Sequence, residues 1–469
     1  MPSSPDPTQR LAAAADQLRQ AHPDIVDVEV VVTDFNGVSR GKLLPIDALD
    51  KLATGGAKMP VSTLALDIFG LDLEGAGIAI EIGDPDGALV PAAETLSPMA
   101  WTFGDVRPSA QVLASLTEID GQTPAAIAPR AVLQQIEARA VRNGLTPVAA
   151  VEIEFYLIDA ERDARGRPQP PCPPGGGDRL HNNQIYDMTV LRAFQPIMAE
   201  ITDAARLAGA PADALICEFG PGQFEMNLHH TQGVVAAADH AVLLRRAIRG
   251  VARKHGYDVT FMAKPYGDQS GSGMHIHLSL LDSSGANIFS GPDDQPNQPM
   301  RHALGGLKDS MDDTTLAYAP HANSYRRFMP GSYAPLCAAW GIDNRGTALR
   351  CPGTQGAGAR IEHRVSGADA NPYLVLAAVL GGALEGIENE TPCGDPIVGE
   401  AVADAGALNA PPLPNTWAAA VDAWAGSEFV GRIFGSEFQR LFAAQKRQEQ
   451  QTLLARVSDA EYDAYLRSV

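Results

Sequence analysis

The chain has 469 residues, 45% of them hydrophobic and 20% charged, which is the balance of a soluble globular protein. That length exceeds one simple core and points to two or three domains. A formal net charge of −20 argues against general nucleic-acid binding.

The opening "MPSSPDPTQR" has no basic segment leading into an apolar run, so a frayed start rather than a signal peptide is expected. A helix is predicted over "TQRLAAAADQLRQAH". "IVDVEVVVTDFNGVSRGKLLP" reads as strand, "NG" turn and strand, a hairpin. "VSTLALDIFG" is an apolar run with a single acid, Asp67. Residues 71–118 are short, strand-like and rich in Gly and Pro. The polar stretch "EIDGQTPAAIAP" (118–129) reads as a linker, with a helix starting near Pro129. A small β-rich domain is expected at 1–118 and a larger mixed domain at 119–469. Composition marks 163–180 as a loop. Long helices are predicted over 233–256, closing on Gly256 as a C-cap glycine, and over 373–388. The second lies in "YLVLAAVLGGALEGI", too short and glycine-rich to span a bilayer, so no membrane partner is expected. Five scattered cysteines without a CxxC pair fit a reducing, cytoplasmic setting. Strands and helices intermix without a βαβ rhythm, so the fold class is α+β.

One segment raises a chemical question. In "VEIEFYL" (151–157), Val151, Ile153, Phe155 and Leu157 alternate with Glu152, Glu154 and Tyr156. Period two makes a strand with one core face. The two glutamates on the other face are either a solvated surface or a carboxylate pair kept for a cation. Three further segments share the pattern. Gln223, Glu225 and Asn227 alternate with apolar residues in "GQFEMNLHH"; His275, His277 and Ser279 do so in "MHIHLSL"; Arg360, Glu362 and Arg364 do so in "ARIEHRVSG". A wet face collects Lys, Thr and Ser; these faces collect Glu, His, Arg and Asn. Paired in one sheet, they would line a cavity both anionic and cationic. Carboxylates with few imidazoles suit Mg²⁺ or Mn²⁺ better than zinc. Arginines there would neutralise phosphate or carboxylate groups. Neither a GxxxxGK(S/T) loop nor a GxGxxG turn is present, so nucleotide binding by those routes is excluded.

"KPYGDQSGSGMHIHLSL" (264–280), "NSYRRFMPGSYAP" (323–335), "NRGTALRCP" (344–352) and "RIEHRVSGADANPYLVLAA" (360–378) resemble, in order, the signature blocks of the glutamine synthetase superfamily. The wording is closest to its γ-glutamyl-amine ligases, the γ-glutamylpolyamine synthetases among them. The resemblance implies a small N-terminal β-grasp domain and a catalytic domain on a curved antiparallel sheet. It implies one metal held by Glu154, Glu218 and Glu225, and another by Glu152, His275 and Glu362. Arg327 and Arg364 would grip the glutamate carboxylate and the transferring phosphoryl group, with Gly271 allowing close backbone approach. His277, Ser279, Arg345 and Arg350 would contact ATP, and Asp67 of a neighbouring subunit would lie where the amine enters. Such sharing implies a homo-oligomer of two stacked hexameric rings, a dodecamer. His229, His230 and His363 are read as non-ligands, Arg326 as a surface or interface residue, and Cys217 and Cys351 as packing groups.

The implied activity is ATP-dependent joining of L-glutamate to a primary amine through a γ-glutamyl phosphate. The alternatives are glutamine synthetase proper using ammonia, a γ-glutamylmethylamide synthetase, or an inactive scaffold. Three departures from the glutamine synthetase pattern matter, and the first two remove polar groups from the ammonium pocket and add bulky apolar ones. Tyr333 replaces a glutamate that helps deprotonate ammonium, "DIFG" replaces a DGSS-like turn, and Ser270 replaces an asparagine.

Overall fold

The computed structural model describes residues 7–52, 55–399 and 410–469. The frayed start expected over residues 1–6 lies outside them. The helix that follows spans Pro7–Ala21. Six strands come next: β1 (Asp27–Thr33), β2 (Ser39–Pro45), β3 (Lys58–Pro60), β4 (Asp86–Pro91), β5 (Ser97–Pro98) and β6 (Ser109–Thr117). They form one sheet in the order β2-β1-β6-β4-β3, with β5 on β6. The β1–β2 hairpin closes through Asn36–Gly37, where Gly37 takes φ +74°. β1 also pairs with β6 in parallel. Val28, Val30, Val31 and Val32 are all buried, which fits a central strand covered on both faces.

Residues 118–129 are not the free linker expected from their polarity. Glu118 N–H donates to the Thr123 carbonyl at 2.7 Å, and Asp120 accepts from Gln122, Thr123 and the Thr123 hydroxyl. Ala125, Ile127 and Ala128 are buried against the following helix, Pro129–Arg142. The polar residues close a turn, and the alanines behind them join the core.

A nine-stranded sheet follows: β7 (Thr146–Asp159), β8 (Ala212–Cys217), β9 (Gln223–Leu228), β10 (Thr231–Gln232), β11 (Tyr257–Thr260), β12 (Met274–Leu281), β13 (Trp340–Ile342), β14 (Leu349–Gly353) and β15 (Arg360–His363). Its order is β13-β14-β15-β12-β7-β9-β8, with β10 and β11 on β7. All pairs are antiparallel except β13–β14. The four polar-faced segments are therefore consecutive neighbours, β15-β12-β7-β9. Their apolar face, including Ile153, Phe155, Phe224, Met274 and Ile276, is buried. Helix Val234–Lys254 lies against β7, and the almost wholly buried helix Pro372–Glu388 packs on that helix in turn. A one-residue slip would exchange the two faces, so burial fixes the register and with it the direction of every glutamate. Gly256 takes φ +79° just past the helix end, as its C-cap reading requires.

Helix Ser436–Leu454 returns to the first sheet. Phe438 and Phe442 meet Phe35 of the hairpin loop at ring distances of 4.6 and 5.6 Å. Among the described residues no helix is long and apolar enough to cross a membrane.

Candidate active site

The pairing register builds the site. Opposite residues in an antiparallel ladder share a face. Glu152 of β7 stands opposite His275 of β12 and Asn227 of β9; Glu154 opposes Glu225; His277 opposes Glu362 of β15; Arg350 of β14 opposes Glu362 in turn. A single rung thus runs Arg350–Glu362–His277 beside a second rung, His275–Glu152–Asn227. Glu152 and Glu154 face the same way because they are two residues apart on one strand.

The side chains meet across these rungs. His277 Nε2 donates to Glu152 Oε1 at 2.9 Å and His275 Nδ1 to Glu152 Oε2 at 3.2 Å. Arg360 Nε donates to His277 Nδ1 at 3.2 Å, which places the imidazole proton on Nε2. Glu362, 1% exposed, accepts from Arg350 Nη1 at 2.7 Å and from Arg364 Nη1. Glu154 Oε2 accepts from the Gly273 amide at 2.8 Å and from Gln223 Nε2 at 3.2 Å. A Cβ at Gly273 would meet the side-chain tips of Arg327 at 2.7 Å and His275 at 2.9 Å, so any larger residue there would displace both. Gly271 is crowded in the same way by Ala263 and Arg327, and its carbonyl accepts from Gln223 at 3.0 Å.

Charge is unevenly compensated. Burial would raise Glu152, but the bonds from His275 and His277 outweigh it and hold the carboxyl well down. Burial likewise opposes Glu362, yet Arg364, His275 and His277 bring it to about 2. Glu218 has too little help: burial, then the charge of Glu154, outweighs the Phe219 amide and Arg345 and pushes it up to about 8. Glu225 is driven well above the carboxylate range by burial and then by Glu152, Glu154 and Glu218.

The donor set fits a hard divalent cation. Ligand atoms of Glu152, Glu225 and His275 lie within 4.8 Å of one another, as do those of Glu152, His277 and Glu362. The buried Asn227 Oδ1 beside them has no partner, an orphan oxygen of the kind such cations take. These triads regroup the expected sets. Glu152 belongs to both, and His277, expected at ATP, lies among the carboxylates. His363 is buried with neither ring nitrogen bonded and packs on Tyr318 at 4.4 Å.

The residues expected around ATP divide between two cavities. His277 and Ser279 line one of about 840 Å³, with Arg360, His229 and His230; Arg345 and Arg350 line another of about 530 Å³, with Asp343 and Asn344. Ser279 spends its hydroxyl on the Ala359 carbonyl at 2.8 Å. Arg345 is bonded to the Tyr186 phenol, which outweighs burial and the charge of Arg350 and holds the guanidinium above its ordinary value. Tyr186 was not legible as a site residue: it lies in an irregular stretch, at φ +56°, and only its pairing with Cys217 carries it beside Glu218. Asn227 and Arg360 belonged to the alternating pattern, which marked their direction but not their partners.

Asp67 is expected to act at a neighbouring subunit's site. It is fully buried, its Oδ1 accepts from the amides of Phe69 and Leu71 at 2.9 Å, and its Oδ2 accepts from Gln448 at 3.0 Å. Within this chain it builds a turn. Tyr333 is 71% exposed, Arg326 is exposed, and Arg327 is buried with Nη1 on the Val365 carbonyl at 2.6 Å. Cys217 and Cys351 are buried, and burial pushes both thiols up to about 12, as packing groups would be.

The fold and site define a class: an α+β protein whose mostly antiparallel sheet gathers carboxylates, imidazoles and arginines on one face, a donor set that could hold a divalent cation. The chain belongs to the glutamine synthetase family, whose catalytic domain matches residues 126–465. It is 39% identical to the gamma-glutamylputrescine synthetase PuuA of Escherichia coli K12, over 96% of this chain and 93% of the relative. It is 32% identical to the glutamate–isopropylamine ligase of a Pseudomonas species, over 94% and 95%. A solved structure described as a GmaS/ADP complex superposes with a TM-score of 0.83 at 27% identity, covering 97% of this chain and 99% of that one.

Proposed function

We propose that this chain is an ATP-dependent ligase that joins the γ-carboxylate of L-glutamate to a primary amine. The carrying observation is the single sheet face on which Glu152, Glu154, Glu225, His275 and Glu362 converge beside Arg327 and Arg364. Relatives that act on putrescine and isopropylamine support the amine over ammonia. Mg²⁺ or Mn²⁺ would be held by Glu154, Glu218 and Glu225 and by Glu152, His275 and Glu362, with His277 at the edge of the second set. Bound there, such ions neutralise charge on a transferring phosphoryl group. The γ-carboxylate oxygen attacks the γ-phosphorus of ATP, the bond to the bridging oxygen breaks, and ADP leaves. The amine nitrogen then attacks the acyl carbon, phosphate leaves with the C–O bond pair, and the nitrogen loses a proton. The acyl phosphate is needed because a carboxylate oxygen is a very poor leaving group.

Arg364 and Arg327 bind the acidic groups of glutamate and the phosphoryl oxygens, and Gly271 admits the substrate close to the backbone. Ser279, Arg345 and Arg350 contact ATP from the two cavities. Tyr333 forms part of the amine pocket, and Asp67 of a neighbouring subunit lies where the amine enters. In our reading residues 1–118 form a β-grasp domain, 119–469 form the catalytic domain, and the chain assembles as a dodecamer in the cytoplasm. An amine panel with ATP and glutamate, read by phosphate release, tests the activity. The best primary amine should exceed ammonia in kcat/KM by at least about tenfold. Equal rates with ammonia and every amine would return the chain to glutamine synthesis, and no phosphate release would make it a scaffold.

A further inference from the structure

Arg327 reaches the cleft from a short turn whose apolar residues, Tyr325 and Phe328, pack partly buried against the core, while its polar residues need other anchors. The turn contains a 3-10 segment, Ser324–Arg326, flanked by Asn323 and Arg327. The stretch "HANSYRR" has no apolar periodicity to seat it on the sheet. Side-chain bonds supply those anchors. Asn323 grips Lys264 at two points: Oδ1 accepts its amide at 2.8 Å and Nδ2 donates to its carbonyl at 3.0 Å. Ser324, 1% exposed, donates its hydroxyl to Asp369 Oδ2 at 2.6 Å and accepts the His321 amide at 3.1 Å.

Asp369 lies on the segment that follows β15. The same segment receives the guanidinium of Arg327, at the carbonyls of Val365 (2.6 Å) and Arg364 (3.3 Å). The turn is thus tied twice to one stretch, at Ser324 and again at Arg327. That stretch is itself fastened. Ser366 accepts the Met274 amide, Ala368 donates to Ser272, and Arg245 Nη2 donates to the carbonyls of Ala368 and Ala370 at 2.7 and 2.9 Å. The other oxygen of Asp369, Oδ1, is enclosed and has no partner. A carboxylate left half-satisfied is an expensive way to make a core contact, since an uncharged pair of the same shape would do it at less cost. Its retention makes sense if the strong, short, charge-assisted bond to Ser324 serves the neighbouring arginine.

We propose that Asp369 and Ser324 form a latch that positions Arg327 for the acidic groups of glutamate. Both are positioning residues, and the proposal rests on the reading of Arg327 given above. An arginine side chain has many rotamers, so fixing its root at the turn limits where the guanidinium can go. A displacement of about 1 Å at such a group is enough to lower the rate on the order of 10²-fold.

The test uses the full chain with Mg²⁺ and compares Ser324→Ala and Asp369→Asn with the parent. Each should lower kcat/KM for glutamate at least about tenfold, while KM for ATP stays within about twofold. Calorimetry of glutamate binding without nucleotide should show the same loss. In an Arg327→Lys background the Ser324→Ala effect should shrink to less than about threefold, because the latch acts through that arginine. An equal loss in both backgrounds, an equal loss for ATP and glutamate, or a fall in Tm with normal kinetics would overturn the latch. If Asp369→Asn does not fold, Ser324→Ala decides alone. Should Arg327→Lys by itself leave glutamate kinetics and binding unchanged, the fault lies with the assignment of Arg327. A damaged Arg327→Lys with a normal Ser324→Ala faults the latch only.

Discussion

Two buried polar clusters in this chain use the same kinds of groups and end in opposite electrostatic states. Where helix Ser436–Leu454 meets the first sheet, Lys446 and Glu449 are 0% exposed and answer each other. Lys446 Nζ donates to Glu449 Oε2 at 3.1 Å and to Asn36; Glu449 Oε1 accepts from Asn36 Nδ2 at 3.0 Å and from the Ile68 amide at 2.9 Å. In the cleft, Glu152, Glu154, Glu218 and Glu225 crowd one another, and Glu218 and Glu225 are pushed up in pKa by burial and then by the neighbouring carboxylates. The closed cluster holds the fold. The open one keeps uncompensated carboxylates, the electrostatics that the proposed cation binding would complete.

The sharpest way to break this comparison is to remove one open carboxylate. Glu225→Ala should lower phosphoryl transfer on the order of 10³-fold, because charge on the transferring group then goes unanswered. Phosphate release measures it, and a loss under about tenfold would mean that the crowding has no catalytic use. Folding stability should barely fall, since a repelled charge is being deleted.

The closed cluster should respond in reverse. Glu449→Ala strands a buried ammonium and should destabilise by about 3–5 kcal/mol in urea unfolding. The paired change Lys446→Met with Glu449→Leu should restore most of that, as replacement of a buried ion pair by apolar groups often does. No comparable apolar replacement should rescue the cleft. If the paired variant unfolds as easily as Glu449→Ala, the hub is not self-contained.

A third prediction uses pH. The folded chain keeps protons on Glu218 and Glu225 that the unfolded chain has already lost, because both carboxyls are raised above their ordinary value of 4.5. Their contribution to stability is complete below that value and is lost as pH rises, for Glu218 toward about 8. The metal-free Tm should therefore fall between about pH 5 and pH 8. Glu362 works in the other direction and far lower, its contribution being lost as pH falls through about 2. Millimolar Mg²⁺ should flatten the slope and release protons on binding, which calorimetry in buffers of different ionisation heat detects. A flat metal-free profile would contradict the crowding.

The smallest effect is expected at the rim. Tyr333, 71% exposed, presents an aromatic face that suits an alkylamine. Tyr333→Glu should narrow the amine-over-ammonia preference by less than about tenfold, or 1.4 kcal/mol, mainly by weakening the alkylamine. An unchanged preference would remove Tyr333 from the pocket.

The amino-acid sequence alone determined the strand-borne half of the site. In β7, β9, β12 and β15, alternation declares which side chains share a face, and burying the apolar face leaves one register. Glu152, Glu154, Glu225, His275, His277 and Glu362 were therefore legible as a common surface. Tertiary structure decided what periodicity does not encode. Alternation says which way a residue points but not which strand lies beside it, so only the sheet order made Glu152 a partner of both His275 and His277. Loop residues have no period at all. Asp67 turned inward because two backbone amides and Gln448 on a helix some 380 residues later consume its oxygens. Tyr186 reached Arg345 through a backbone pairing with Cys217, and Arg327 found its place through Ser324 and Asp369. Each of these contacts joins segments distant in the chain, and closing such loops is the work of the assembled core rather than of any local pattern.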